Sequence, residues 1–142
     1  MAYLAHVTLV VPDYDAALAF YIGKLGFSLV EDTALDDAPH GKRWITIRPP
    51  GATGADAGEG ATILLARAAT LDQHAAIGNQ TGGRVAFFLA TDDFARDHAA
   101  YTAAGVEWVR APTRAAYGIV AVFRDPFGNL WDLIERDRGE RS

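Results

Sequence analysis

The sequence contains no cysteine among its 142 residues. This absence excludes disulfide bonds, thiolate metal sites and cysteine nucleophiles. Lysine and arginine together number 13, against 18 aspartate and glutamate residues, and no basic block stands out. Nonspecific nucleic-acid binding and attachment to an anionic membrane surface both depend on such a block, so neither partner is predicted.

Long hydrophobic runs are also lacking. The apolar stretch near the start, YLAHVTLVV, is interrupted by His6 and Thr8 and is too short to span a membrane. It shows neither a basic leader nor a small-residue cleavage signal. We therefore expect a cytoplasmic protein, and the missing cysteines fit a reducing compartment.

The sequence contains an internal repeat, in which the same order of predicted strands and helix occurs in each half. Each half begins with an apolar strand pattern, continues with a helix pattern that stops at a glycine, and adds three more strand patterns. Asp13 is expected to cap the first helix, and either Thr91 or Asp92 the second. The predicted strands are 3–11, 27–32, 43–48 and 61–66, and then 84–90, 106–110, 117–124 and 129–135.

The repeated order predicts an α+β protein of two βαβββ modules. We assign residues 1–142 to a single domain whose modules cover about 1–66 and 84–137, joined by a short helical linker. Each module has one helix to cover one face of its sheet, and the second module can cover the other. The two modules are expected to form an open, cup-shaped mixed sheet, and residues 49–60 a mobile loop.

The last predicted strand places a carboxylate among aliphatic side chains. Asp132 shares one face of that strand with Leu130 and Ile134, and this face looks the most like a core. A slip of one residue in the register would turn Asp132 to the other face.

The paired βαβββ modules resemble the vicinal oxygen chelate superfamily, and so do two stretches of this sequence. They are the helix exit with Phe20, Tyr21 and LGF at 25–27, and the closing strand DPFGNLWDL. That superfamily includes glyoxalase I, extradiol dioxygenases, fosfomycin-modifying enzymes and bleomycin-resistance proteins. The resemblance covers nearly the whole chain and implies a homodimer.

The resemblance also implies four metal-ligand positions, which fall on His6, Leu64, Arg84 and Asp132. Leu64 has no donor atom, and the permanent charge of Arg84 repels a dication. One histidine and one aspartate alone hold a divalent ion weakly. We therefore predict no cofactor and no four-ligand metal site.

Two interpretations of Arg84 and Asp132 stay open. In one, they pair and neutralise charges that are costly to bury singly. In the other, Arg84 binds an acidic or carbonyl-bearing small molecule through its fork of donors. His6 and Asp132 would then orient the ligand or exchange protons with it, because histidine titrates near neutral pH.

Aromatic side chains at strand spacing offer walls for such a pocket. Trp44, Phe88 and Tyr117 are predicted ligand contacts, although core packing is the commoner role of such residues. We interpret the segment 36–43 as a solvated hairpin loop, and the alternative is a lid that brings His40 or Arg43 to the ligand.

Three functional hypotheses follow, in this order. The first is a metal-free small-molecule-binding protein of the glyoxalase/bleomycin-resistance type. The second is a metal-dependent lyase or dioxygenase that uses His6 and Asp132. The third is a protein whose cup is filled by side chains and which acts by association. The sequence leaves open whether any reaction is catalysed, and it shows no nucleophile motif for acyl transfer.

Overall fold

The computed structural model describes residues 1–51 and 60–137. The chain divides into two compact units, Met1–Ile77 and Gly78–Ser142. Most of the predicted loop at 49–60 lies outside the described residues.

The first unit is a four-stranded mixed sheet with one helix packed on it. The sheet has the order β1-β4-β3-β2, in which β1 runs parallel to β4 and the other pairs are antiparallel. In chain order the elements are β1 (His6–Val11), α1 (Tyr14–Tyr21), β2 (Ser28–Ala34), β3 (Arg43–Arg48), β4 (Thr62–Arg67) and the short helix α2 (Leu71–Ala76).

The second unit repeats this arrangement. Its sheet has the order β5-β8-β7-β6, again with one parallel pair, β5 and β8. The elements are β5 (Val85–Ala90), α3 (Phe94–Ala103), β6 (Glu107–Ala115), β7 (Gly118–Arg124) and β8 (Leu130–Arg136). The predicted α+β class with a repeated βαβββ order is confirmed.

Local signals explain where the first helix begins and ends. The Asp13 carboxylate accepts a hydrogen bond from the Ala16 N–H at 2.7 Å, which satisfies one of the free donors of the first turn. Gly26 follows the helix with a φ of 76°, a left-handed conformation that glycine adopts without strain.

The cap predicted for the second of these helices, α3, is wrong by one or two residues. The N-cap is Asp93, whose carboxylate accepts a hydrogen bond from the Arg96 N–H at 3.0 Å. The Thr91 hydroxyl instead donates to the Asp97 carboxylate, and Asp92 pairs with Arg96. Three consecutive polar residues can each serve as a cap, so the sequence alone did not decide between them.

Each sheet buries one face against its own helix. In the first unit, Leu9, Ile45 and Leu65 are almost fully buried on the same face as Ala17 of α1. In the second unit, Phe123 and Leu133 lie in the core with Tyr101 of α3. The opposite faces carry the polar side chains that concern function.

No helix in the described parts of the chain, 1–51 and 60–137, is long and apolar enough to cross a bilayer.

Candidate functional site

The DPFGN turn fixes the start of the strand that carries Asp132. Asp125 is only 2% exposed, and its carboxylate accepts hydrogen bonds from the N–H groups of Phe127 at 2.9 Å and Asn129 at 2.8 Å. The Asn129 side-chain amide donates to the second carboxylate oxygen at 2.7 Å. Gly128 completes the turn with a φ of 106°, which favours glycine. This buried turn sets the register of β8.

Asp132 lies on the face of the second sheet that is opposite to its core. Its neighbours Trp131 and Leu133 are 2% and 0% exposed, and side chains alternate between the faces of a strand. Leu130, Asp132 and Ile134 are all half-buried. The face that looks the most like a core in the sequence is therefore not the core face, because Trp131 and Leu133 fill that one.

Strand pairing places Asp132 in a row that crosses all four strands of the sheet. Asp132 pairs with Phe88 of β5 and with Val122 of β7. Val122 in turn pairs with Arg110 of β6. Neighbouring strands are about 4.8 Å apart, so the backbones of Arg110 and Asp132 are about 10 Å apart. We call Phe88, Asp132, Val122 and Arg110 the cross-strand row.

A pocket of about 510 Å³ opens over the cross-strand row. This volume is typical of sites for small molecules. Its charges come from Arg84, Arg110 and Asp132. Its apolar walls are formed by Val85, Phe88, Val109, Val122 and Leu130. The pocket therefore combines two cations and one carboxylate with an apolar surface.

The Asp132 carboxylate has no hydrogen bond or ion pair with any other described residue. Burial raises the pKa of Asp132 above its ordinary value, and the positive charge of Arg110 partly opposes that rise. Partial burial costs the ionised carboxylate some of its solvation by water. A ligand that donates a hydrogen bond to Asp132 would remove this penalty.

Arg84 and Asp132 line the same pocket, yet among the described residues they form no ion pair with each other. The register explains this separation. Val85 is the first residue of β5 and pairs with Leu130, so Arg84 lies directly before the strand, roughly 10 Å along it from the level of Asp132. The pairing interpretation therefore fails in this structure, and the exposed Arg84 side chain is accessible to a ligand.

His6 lies in the first unit, at the start of β1, where its side chain is held on two sides. Its Nδ1 is 2.5 Å from the Thr62 Oγ1, and the two atoms share a hydrogen bond. The Trp44 ring meets the imidazole edge to face, with 5.5 Å between ring centroids. His6 is exposed, and its Nε2 has no hydrogen-bond partner in the described part of the chain.

The first sheet has a row that corresponds to the cross-strand row. It consists of Thr8, Leu64, Thr46 and Glu31 on β1, β4, β3 and β2. Leu64 thus occupies the place that Asp132 has in the second sheet.

The residues present do not fit the four-ligand metal site that the family resemblance implies. Leu64 has no donor atom, and Arg84 carries a permanent positive charge. Within residues 1–51 and 60–137, no three histidine, aspartate or glutamate side chains are grouped so that they could hold a metal ion.

Two further predicted contacts lie outside the pocket. Tyr117 is at the turn between β6 and β7 and is 39% exposed, but it does not line the pocket. In the hairpin at 36–43, His40 has a φ of 56° and lines a separate small pocket of about 250 Å³. Arg43 is held by Asp15 and Asp32 at 3.0 and 2.6 Å. These ion pairs favour the interpretation of this segment as a solvated hairpin.

Arg110 is the charged pocket residue that the sequence did not reveal. β6 has register shifts between Trp108 and Arg110 and between Arg110 and Thr113. Each shift breaks the simple alternation of faces, so the side-chain direction of Arg110 does not follow from its position in the strand. The pairing of Arg110 with Val122 places Arg110 in the pocket, and this strand register has to be known before the residue can be predicted.

A family model identifies the family to which this chain belongs, and solved structures share its fold. The family model for the Glyoxalase/Bleomycin resistance protein/Dioxygenase superfamily matches residues 3–133. A protein of Shewanella frigidimarina (strain NCIMB 400), described as uncharacterised, is 49% identical over 132 residues, which covers 93% of this chain and 92% of that protein.

Two solved structures share the fold along almost their whole length. UcmS2 has a TM-score of 0.75 and 27% identity, and the match covers 94% of this chain and 98% of UcmS2. TnmS3, described as an antibiotic binding protein from Streptomyces sp. CB03234, has a TM-score of 0.69 and 25% identity. That match covers 96% of this chain and 98% of TnmS3.

Proposed function

Because this chain belongs to the Glyoxalase/Bleomycin resistance protein/Dioxygenase superfamily, we propose that it is a small-molecule-binding protein with its ligand in the pocket of the second unit. The observation that carries this proposal is the half-buried Asp132, which faces the pocket without a protein partner. Arg84 and Arg110 share that pocket with it, and the Phe88 ring beside it is 70% exposed.

The charges of the pocket favour an acidic or carbonyl-bearing ligand. Arg84 and Arg110 each offer a planar fork of donors, which suits carboxylate and carbonyl oxygens. Neither guanidinium forms an ion pair within the described residues. With Asp132 ionised, two cations and one anion leave a net positive charge, so an anion is preferred over a cation.

A four-ligand metal site is no part of this proposal. The support is the donor set itself, since Leu64 and Arg84 occupy two of the four implied ligand positions and neither can serve as a ligand. In the first unit, His6 and Trp44 stay predicted ligand contacts, with the imidazole Nε2 left for a hydrogen bond or a proton exchange.

The likeness to TnmS3 supports the binding of a small organic molecule. TnmS3 is described as an antibiotic binding protein and is 25% identical to this chain over nearly its whole length. We propose that this chain likewise binds a compound of that general size. The pocket volume of about 510 Å³ is compatible with this class.

We also propose a homodimer and a cytoplasmic location. Edge strand β2 is exposed along its whole length, and its Leu29 and Val30 are 48% and 45% exposed. An exposed apolar edge strand is a ready surface for a second chain. Light scattering should give a mass of about twice 15.2 kDa, whereas the mass of one chain would contradict the dimer.

The dye anilinonaphthalene sulfonate (ANS) is a suitable probe of the proposed pocket, because it carries aromatic rings and a negatively charged sulfonate group in one molecule. We expect saturable fluorescence enhancement, and an increase of about tenfold in the dissociation constant for both Arg84→Gln and Arg110→Gln. Arg96→Gln is the matched control, since it also removes one positive charge from the second unit. Arg96 lies on α3, pairs with Asp92 and Asp97, and does not line the pocket.

Three results decide the outcome of this titration. Weaker binding by the two pocket variants alone supports the proposal. Equal affinity of all four proteins would place the dye elsewhere on the surface and would contradict it. A lack of saturable binding to the wild-type protein would contradict it as well.

A further inference from the structure

Resting on the function proposed above, we infer that the ligand of the second unit is an aromatic acid with a hydrogen-bond donor between its ring and its acid group. The inference comes from the order of side chains along the cross-strand row. Phe88, Asp132 and Arg110 present an apolar ring, a hydrogen-bond acceptor and a cation in that sequence.

Phe88 provides the position for the aromatic ring of the ligand. It is 70% exposed, although a phenyl ring gains free energy when it is removed from water. Val85 and Leu130 lie beside it in the pocket wall. A ligand ring stacked on Phe88 would bury both rings and gain the additional attraction of an aromatic pair.

Asp132 provides the position for the donor. It is one strand away from Phe88 in the cross-strand row, so the two backbones are about 5 Å apart. Its carboxylate accepts no hydrogen bond from the described protein. An N–H or O–H group close to the ligand ring would satisfy it, and a hydrogen bond to a charged group is stronger than one between neutral groups.

Arg110 provides the position for the acid group. It lies two strands beyond Asp132, and its charge reaches the carboxylate strongly enough to affect the Asp132 pKa. Val122 stands between them with a short apolar side chain. An acid group over Val122 would bind the Arg110 guanidinium. This position would also keep the acid group of the ligand away from the Asp132 carboxylate.

Other ligand classes leave part of the pocket unsatisfied. A basic ligand would pair with Asp132 but would meet two arginines. A neutral hydrocarbon would cover Phe88. It would also remove water from three charged groups without replacing the hydrogen bonds that the water made to them. An aromatic acid without a donor would leave Asp132 without a partner and place a second negative charge near it.

Benzoylglycine is a suitable probe, because its phenyl ring, amide N–H and carboxylate follow one another in the inferred order. Benzoylsarcosine replaces the N–H with an N-methyl group, and benzoylglycinamide replaces the acid with a neutral amide. We expect the wild-type protein to bind benzoylglycine about tenfold more tightly than either analogue. Titrations followed by amide NMR shifts give all three dissociation constants.

Two variants assign each preference to one side chain. Asp132→Leu should remove the preference for the N–H probe over the N-methyl probe and keep the preference for the acid. Arg110→Met should remove the preference for the acid and keep that for the N–H. Arg96→Gln should retain both, and the amide spectrum of each variant reports its fold. The wild-type comparison of the three probes needs no variant.

The outcomes separate this inference from the function on which it rests. Equal binding of the three probes, preferences that persist in both variants, or no binding of benzoylglycine at roughly 10 mM while ANS still binds would each overturn the inferred ligand class alone. If ANS fails to bind as well, the proposed pocket itself is overturned, and the ligand class with it.

Discussion

Arg110 and Asp132 lie two strands apart on one row of the second sheet, and the charge of Arg110 lowers the pKa that burial of Asp132 raises. The two groups are thus linked electrostatically without an ion pair. Both stay available to a third group, because neither has a partner in the described part of the protein. This arrangement explains a carboxylate among aliphatic neighbours better than a structural ion pair does.

Replacement of Asp132 by asparagine should stabilise the protein at neutral pH. Burial raises the pKa of Asp132 in the folded state. Protonation of Asp132 therefore stabilises the folded protein fully at a pH below the unfolded pKa of about 4, and this stabilisation is lost as the pH rises through the folded pKa. Asp132→Asn does not titrate. Its advantage over the wild-type protein should therefore grow as the pH rises above about 4 and vanish below it.

Urea unfolding at a series of pH values measures this difference. Asp92→Asn is the control, because Asp92 is exposed and paired with Arg96, so its removal should give no gain at pH 7. If Asp132→Asn were more stable than the wild-type protein by the same amount at every pH, the charge of Asp132 would not be the cause of the difference.

The Tyr101→Phe variant should resist alkaline unfolding. Burial, with a smaller contribution from the charge of Asp97, raises the pKa of Tyr101 to about 12, and Arg96 opposes this rise. The protonated Tyr101 hydroxyl stabilises the folded state below the ordinary tyrosine pKa of about 10, and this stabilisation is lost as the pH rises toward 12. Circular dichroism between pH 7 and 12 should show a later transition for the variant.

At pH 7 the same substitution should change the free energy of unfolding by less than about 1 kcal/mol. Tyr117→Phe is the matched control, since Tyr117 is 39% exposed whereas Tyr101 is buried. Identical alkaline transitions for wild-type protein and Tyr101→Phe would contradict the role assigned to burial.

The Asn129→Ala variant should lose about 1–3 kcal/mol of stability. It removes the 2.7 Å hydrogen bond from the Asn129 amide to the Asp125 carboxylate, and both residues are at most 3% exposed. Chemical denaturation measures the loss. The exposed Asn79→Ala is the control, and a loss no larger than its effect would show that the turn is not held by this bond.

Much of the fold could be predicted because its signals are local. Alternation of side chains, the Asp13 cap and the DPFGN turn each act within a few residues, and they placed β3 at 43–48 without error. The pocket was harder to predict, because it depends on pairing between strands that are distant in sequence. The register that pairs Phe88 with Asp132 keeps Arg84 away from Asp132. The bulges in β6 concealed Arg110, and no periodicity reveals such a bulge.

Metal retention tests the account against its enzymatic alternative. After equilibration with zinc, nickel, iron or manganese and then desalting, we expect no stoichiometric ion, because Leu64 has no donor and Arg84 repels cations. One ion per chain that is lost in His6→Ala would instead favour a metal-dependent lyase or dioxygenase that uses His6 and Asp132.

Amide NMR mapping of ANS on the isotopically labelled protein shows directly whether the ligand lies in the pocket of the second unit. We expect the largest shift changes at Phe88, Arg110, Asp132 and their strand neighbours, with one shared dissociation constant. Changes centred on an exposed apolar residue outside the pocket, such as Leu71, with the cross-strand row unaffected, would contradict this expectation.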